Sequence, residues 1–162
     1  MALEFSENTR KKLAETSERL PDKHSLLIPA LAMAQKDFGY VSTEAMELIA
    51  NDLGVTVAEV KAVATFYTMF NKKPVGKYHI QVCQNLTCSI LGAEPLITYL
   101  EKKLGISCGE TSKDKMFTLS RVECLGACGT APVMQINDDY YENLTTQKID
   151  EILATLKEAK KE

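Results

Sequence analysis

Through residues 1–70 the apolar positions recur every three or four residues, the spacing that gathers them on one face of a helix while polar residues fill the other. Local punctuation divides this stretch into four helices. The first is expected from about Glu7 to Leu20, capped by Ser6 and stopped by Pro21, with Leu13 and Leu20 turned inward. The second runs from about Ser25 to Phe38 with Leu27, Ile28, Leu31 and Phe38 on one face; Pro29 falls near its start, where a missing N–H is tolerated. The third follows Ser42 or Thr43, presents Met46, Ile49 and Leu53, and ends at Gly54. The fourth opens on the capping box Thr56-x-x-Glu59 and carries Val60, Val63, Ala64 and Tyr67. These stripes read as core. The segment Thr65-Phe-Tyr-Thr-Met-Phe70 is more aromatic than a small bundle requires, so part of it also suits a partner surface.

Proline and glycine in Asn71-Lys-Lys-Pro-Val-Gly-Lys77 break the helical period, and a domain boundary is expected there, between residues 1–73 and 74–162. The period then becomes two. Tyr78, Ile80 and Val82 alternate with His79 and Gln81 in a strand that ends on Cys83. Helical spacing returns from Ala93 to Leu104, with Pro95 in the first turn and Gly105 as stop. A second strand over about Met116 to Val122 leads to Cys124. Ala131 to Ile136 and Tyr140 to Asn143 form a hairpin around Asn137-Asp-Asp139, and Thr145 or Thr146 caps a last helix bearing Ile149, Ile152, Leu153 and Leu156. A β-α-β unit followed by a β-β-α unit is the thioredoxin arrangement, whose first two strands run parallel and end at one edge. The expected fold is therefore α+β, an N-terminal helical bundle followed by a thioredoxin-like α/β domain.

Composition narrows what such a chain does. With 162 residues, 45% hydrophobic and 25% charged, it has material for two small cores. Its 19 basic and 22 acidic residues leave a net charge of -3, without the positive footprint that nucleic-acid binding needs. The longest apolar run, Leu26 to Ala34, has nine residues and contains Pro29, too short for a membrane span. Glu4 and Glu7 near the N-terminus do not fit a signal peptide, which leads us to expect a reducing compartment and free thiols.

The five cysteines all fall between Cys83 and Cys128. Four form two close pairs, Cys83-x4-Cys88 and Cys124-x3-Cys128, and both pairs follow expected strand ends. Four soft thiolates suit a [2Fe–2S] cluster, and they equally suit a structural zinc. The x4 spacing leans toward the cluster, because backbone must wrap a core larger than one ion. Gly126 and Gly129 beside the second pair let backbone N–H groups approach sulfur, besides easing the turn. Cys108 stands alone in a loop and reads as a free thiol without a role. His24 and His79 read as solvated surface residues and not as ligands of a Rieske-type cluster. Asp138, Asp139 and Glu142 sit in a turn, their usual place, and no catalytic carboxylate pair or nucleotide-binding glycine motif is present.

Taken together, Phe38-Gly-Tyr40, Val63-Ala-Thr-Phe-Tyr67, Cys83-x4-Cys88 with Gly92 beyond it, and Cys124-Leu-Gly-Ala-Cys128 followed by Ala131-Pro132 resemble one family across nearly the whole chain. It is the thioredoxin-like [2Fe–2S] subunit of NADH dehydrogenases, the small iron–sulfur component of NADH-quinone oxidoreductase (respiratory complex I), which recurs in NAD-linked hydrogenases and formate dehydrogenases. The resemblance implies a [2Fe–2S] cluster held by Cys83, Cys88, Cys124 and Cys128, with Cys108 matching no ligand. It implies a thioredoxin-like [2Fe–2S] ferredoxin domain that exchanges single electrons with FMN on a partner flavoprotein, which also binds NADH. The N-terminal helices then serve docking, and the chain works in the cytoplasm at the inner face of the cell membrane, within a complex. A reading of another class is a zinc-stabilised interaction module with no redox role.

Overall fold

The computed structural model describes residues 3–158. The chain divides into two compact units that meet between Pro74 and Val75.

The first unit is helical. Ser6 caps α1 (Glu7–Ser17), its Oγ accepting the Thr9 N–H at 3.2 Å. Helix α1 ends three residues before the expected Leu20, which is only half-buried. A 3-10 turn over Lys23–Leu26, capped by Asp22, leads into α2 (Leu27–Phe38). Helix α3 (Thr43–Leu53) is capped by Ser42 and closed by Gly54 in the left-handed region, and α4 (Val57–Phe66) begins with the full Thr56/Glu59 capping box. Leu27, Ala30, Leu31 and Ala34 form the inward stripe of α2 and pack with Ile49 and Val60. The expected face of α2 needs correcting at Ile28, which is exposed: the stripe follows i, i+3, i+4, i+7 from Leu27, and Ile28 lies a step outside it. Phe38 does turn inward, stacking on Phe5 with ring centroids 5.7 Å apart.

The second unit is a four-stranded sheet in the order β2-β1-β3-β4, with β1 at Tyr78–Cys83, β2 at Phe117–Val122, β3 at Met134–Ile136 and β4 at Asp139–Tyr141. Strands β1 and β2 are parallel, in a register that sets Cys83 opposite Val122; β3 runs antiparallel to β1, and β4 antiparallel to β3. The crossover from β1 to β2 carries a short helix α5 (Leu86–Ile90), which periodicity did not reveal, and α6 (Ala93–Leu104). Helix α7 (Thr146–Glu158) closes the described chain. Ile80 and Val82 of β1, Leu119 of β2, Ile97 and Leu100 of α6 and Ile149 of α7 build the main core. Gly76, just before β1, is required by space: a Cβ there would lie 2.9 Å from backbone atoms of Met116 and Phe117. Among the described residues, no helix is long and apolar enough to cross a membrane.

Candidate iron–sulfur site

The parallel pairing of β1 and β2 brings their C-terminal ends side by side, and the ladder runs one step past β1, with the Gln84 N–H donating to Val122 C=O at 3.0 Å. Cys83 is the last residue of β1 and Cys124 lies two residues past the end of β2. Cys88 sits in α5, whose start is marked by Asn85 accepting the Leu86 N–H at 2.7 Å. Cys128 opens a 3-10 turn, Cys128–Thr130, just before the cis Ala131–Pro132 peptide.

The first pair is buried and the second exposed. Cys83 and Cys88 pack with Ala93 and Val133, and Leu125, Ala127 and Ala131 lean on that small apolar group, which is separate from the main core. Burial pushes the Cys88 thiol up; hydrogen bonding with Cys83 and the negative charge of Cys83 and Cys128 push the same way, while the Val133 backbone amide opposes them. Cys83 and Cys128 both lie within electrostatic reach of Cys88. Cys83 Sγ also faces Glu123 C=O at 3.8 Å. Cys124 takes the Gly126 N–H on its sulfur at 3.3 Å, and Gly126 can turn that amide inward because its φ of 72° costs glycine nothing. Around Gly126 and Gly129 even an added Cβ would meet no atom within 4 Å, so this side of the site is open.

Among the described residues, no group of three or more His, Cys, Asp or Glu side chains is set to hold a lone metal ion. The donor set fits a binuclear cluster by its chemistry: four thiols in two pairs, soft ligands for two irons, with the backbone N–H of Gly126 aimed at sulfur. Val133 was not visible as a contributor in sequence, since nothing in an apolar residue's type marks its amide as a donor.

Other candidates lie elsewhere. Cys108 is partly buried against the main core, its N–H donating to Glu101 Oε1 at 2.9 Å; burial raises its thiol pKa and contact with Arg121 pulls it back. The reading of His79 as a solvated residue is corrected: it is half-buried, its Nε2 lies 2.8 Å from Ser120 Oγ, and burial lowers its pKa. Four residues before Cys83 on an extended strand, it starts about 13 Å from the site. His24 is exposed but paired, between Asp22 and Glu59. A groove of the second unit, about 850 Å³ and lined by Lys103, Ile106, Lys113 and Lys157 among others, contains none of the cysteines.

Comparison with known proteins points to one family. Residues 13–157 match the family described as thioredoxin-like [2Fe-2S] ferredoxin. The chain is 45% identical over 152 residues to an NADH-quinone oxidoreductase subunit of Rhizobium meliloti (strain 1021), covering 94% of this chain and 90% of that protein. It is 50% identical over 135 residues to the like-named NADH-quinone oxidoreductase subunit of Rickettsia conorii, covering 83% and 81%. Among solved structures, an NAD+-reducing [NiFe]-hydrogenase in the air-oxidized state superposes with a TM-score of 0.72 at 22% identity, over 83% of this chain but 23% of the hydrogenase chain, a likeness of fold. The family model and the relatives agree, and the chain belongs to the thioredoxin-like [2Fe-2S] ferredoxin family.

Proposed function

We propose that this chain is the small electron-transfer subunit of an NADH-quinone oxidoreductase, with Cys83, Cys88, Cys124 and Cys128 as the ligands of one [2Fe–2S] cluster. The observation that carries the reading is the parallel pairing of β1 and β2, which ends one strand on Cys83 and the other two residues before Cys124, with Cys83 and Cys88 packed in one buried group. Relatives named as subunits of an NADH-quinone oxidoreductase support a reading in which the chain works in a hetero-oligomer. The partner of this reading is a flavoprotein that binds NADH and FMN, and the chain meets the inner face of the cell membrane through that complex.

When bound, the cluster supplies a one-electron couple, which suits a flavin that takes two electrons with a hydride and passes them on singly. The chain's own residues do the rest. The buried pair, Cys83 and Cys88, turns one side of the site toward apolar packing and away from water. The Gly126 amide offsets negative charge at the Cys124 sulfur. Exposed Cys124 and Cys128 leave an open approach for a partner, and exposed Leu86, Ile90 and Leu91 on and just after the helix that carries Cys88 suit a dry contact. Exposed Phe66 and Met69 give the helical unit apolar surface for the docking role assigned to it.

The test is to change each of the four cysteines to serine and measure visible absorption, iron content and the electron paramagnetic resonance of the reduced protein. Each single change is expected to remove the [2Fe–2S] signature, whereas Cys108→Ser keeps it. A colourless wild-type protein containing one zinc after anaerobic reconstitution with iron and sulfide would instead favour the zinc-stabilised module. Co-purification with the flavoprotein tests the partner.

A further inference from the structure

The loop between Cys124 and Cys128 is held by a side chain from outside it. Tyr140, on the edge strand β4 and paired in register with Gln135, donates its phenolic O–H to Leu125 C=O at 3.2 Å. That carbonyl belongs to the same peptide unit as the Gly126 N–H, which donates to Cys124 Sγ at 3.3 Å. The peptide is trans, as the cis peptide of the described chain is Ala131–Pro132, and a trans unit carries its C=O and N–H on opposite edges of one plane. Fixing the carbonyl edge therefore aims the amide edge. Leu125 on one side is anchored against the apolar group around Cys83 and Cys88, and Gly126 on the other sits at φ 72°, where it is free of Cβ strain. Rotation of the Leu125–Gly126 plane is the freedom left, and the Tyr140 hydroxyl is the side-chain group that restricts it.

From this geometry we infer that Tyr140 is a positioning residue for the cluster: through the Leu125 carbonyl it keeps the Gly126 amide on the Cys124 sulfur and so raises the reduction potential. An amide aimed at a coordinating sulfur stabilises the extra negative charge of the reduced state more than the oxidised one. The inference rests on the reading of Cys124 as a cluster ligand. Nearly half of the Tyr140 side-chain environment is solvent, so the hydroxyl contributes little to folding, and its loss separates tuning from stability.

The experiment compares wild type and Tyr140→Phe, each with cluster, in a redox titration followed by electron paramagnetic resonance, with Cys124→Ser carried through the same cluster reconstitution as the ligand control. Resonance Raman spectra in H2O and D2O report the amide-to-sulfur contact. Tyr140→Phe is expected to keep the iron content and the melting curve of wild type, to lower the reduced-to-oxidised ratio at a fixed poise three- to tenfold, and to weaken the D2O shift of the Fe–S(Cys) bands. The upper end corresponds to a potential about 59 mV lower for a one-electron couple. An unchanged potential in a fully loaded Tyr140→Phe protein overturns the inference and leaves the cluster reading intact. A Tyr140→Phe protein that unfolds or assembles no cluster also overturns it, because the contact is assigned to tuning and not to assembly. A wild-type protein without a [2Fe–2S] signal, or a Cys124→Ser protein with the wild-type spectrum and potential, overturns the ligand reading and this inference with it.

Discussion

Gly76→Ala is the substitution for which the structure gives the sharpest expectation. The new methyl would meet three backbone atoms of Met116 and Phe117 at 2.9 Å, and none of them is the movable end of a side chain. Relief requires β1 to shift away from the start of β2, at the general cost of overpacking, about 1–3 kcal/mol. The same shift strains the buried hydrogen bond from the Gly76 N–H to Thr118 Oγ1, 2.7 Å long, whose loss costs about 1 kcal/mol more. In a unit the size of residues 75–162, each kcal/mol moves the melting temperature by about 4–8 °C. A total of about 2–4 kcal/mol, and with it a fall of about 8–32 °C, is therefore expected. Thermal denaturation followed by circular dichroism reads the total, and hydrogen exchange at the β1 and β2 amides assigns it to the second unit. Gly129→Ala is the control: its Cβ has nothing within 4 Å and its φ is not in the left-handed region, so folding stability should change by about 0.5 kcal/mol or less. A Gly76→Ala protein that melts within about 2 °C of wild type would refute the steric reasoning.

Glu59 is held at a pKa of about 2, below its usual 4.5, first by the Thr56 hydroxyl, then by the Thr56 backbone N–H and by His24. A carboxyl depressed in the folded state stabilises above its unfolded pKa and loses that contribution as pH falls through the folded one, so the helical unit should weaken between about pH 4.5 and 2. In Glu59→Gln this part of the acid sensitivity should be absent from denaturant titrations at successive pH values; a pH profile equal to that of wild type would count against the capping-box assignment. Leu100→Ala deletes a fully buried side chain of α6 in the main core, and chemical denaturation should report a loss of about 2–5 kcal/mol; a loss below about 1 kcal/mol would mean the core collapses onto the gap.

What was legible in the sequence is what acts locally. Ser6, Ser42 and the Thr56/Glu59 box are caps where expected, because a cap satisfies backbone groups within its own turn. The convergence of the strand that ends on Cys83 with the strand that leads to Cys124 was legible because element order alone makes two parallel strands end together. Misreadings came where tertiary packing decides. Leu26-Leu-Ile28 offers more than one apolar face to a helix, and the face chosen uses Ala30 and Ala34, weak signals in a hydrophobic pattern that nonetheless permit close packing. His79 does alternate away from Ile80, but the second face of the sheet is not bare, and Ser120 from the neighbouring strand meets its ring. Helix α5 is too short for a period to show, although Asn85 offered a cap. Tyr140 was out of reach altogether, since it acts on a carbonyl 15 residues earlier in the chain.

The alternation of β1 explains why the site can coexist with a well-packed core. Val82 faces the main core, and Cys83, the next residue, faces the other side of the sheet and joins the separate group around Cys88 and Val133. The sheet is thus a wall between the part of the fold that supplies stability and the part that supplies chemistry. A slip of one residue along β2 would turn Cys83 into the core and Val82 into the site, so the same register that buries Ile80 and Leu119 also selects which side receives the thiol. The second pair needs no such selection. Cys124 and Cys128 lie past the end of β2 in a loop shaped by Gly126 and by the Tyr140 hydroxyl, where orientation is set one peptide at a time. The two cysteine pairs are therefore controlled by different physics: the buried pair by strand register, which resists change, and the exposed pair by single hydrogen bonds, which can be altered at little cost to the fold. Variation in electron-transfer properties within such a domain is expected to arise in the second pair.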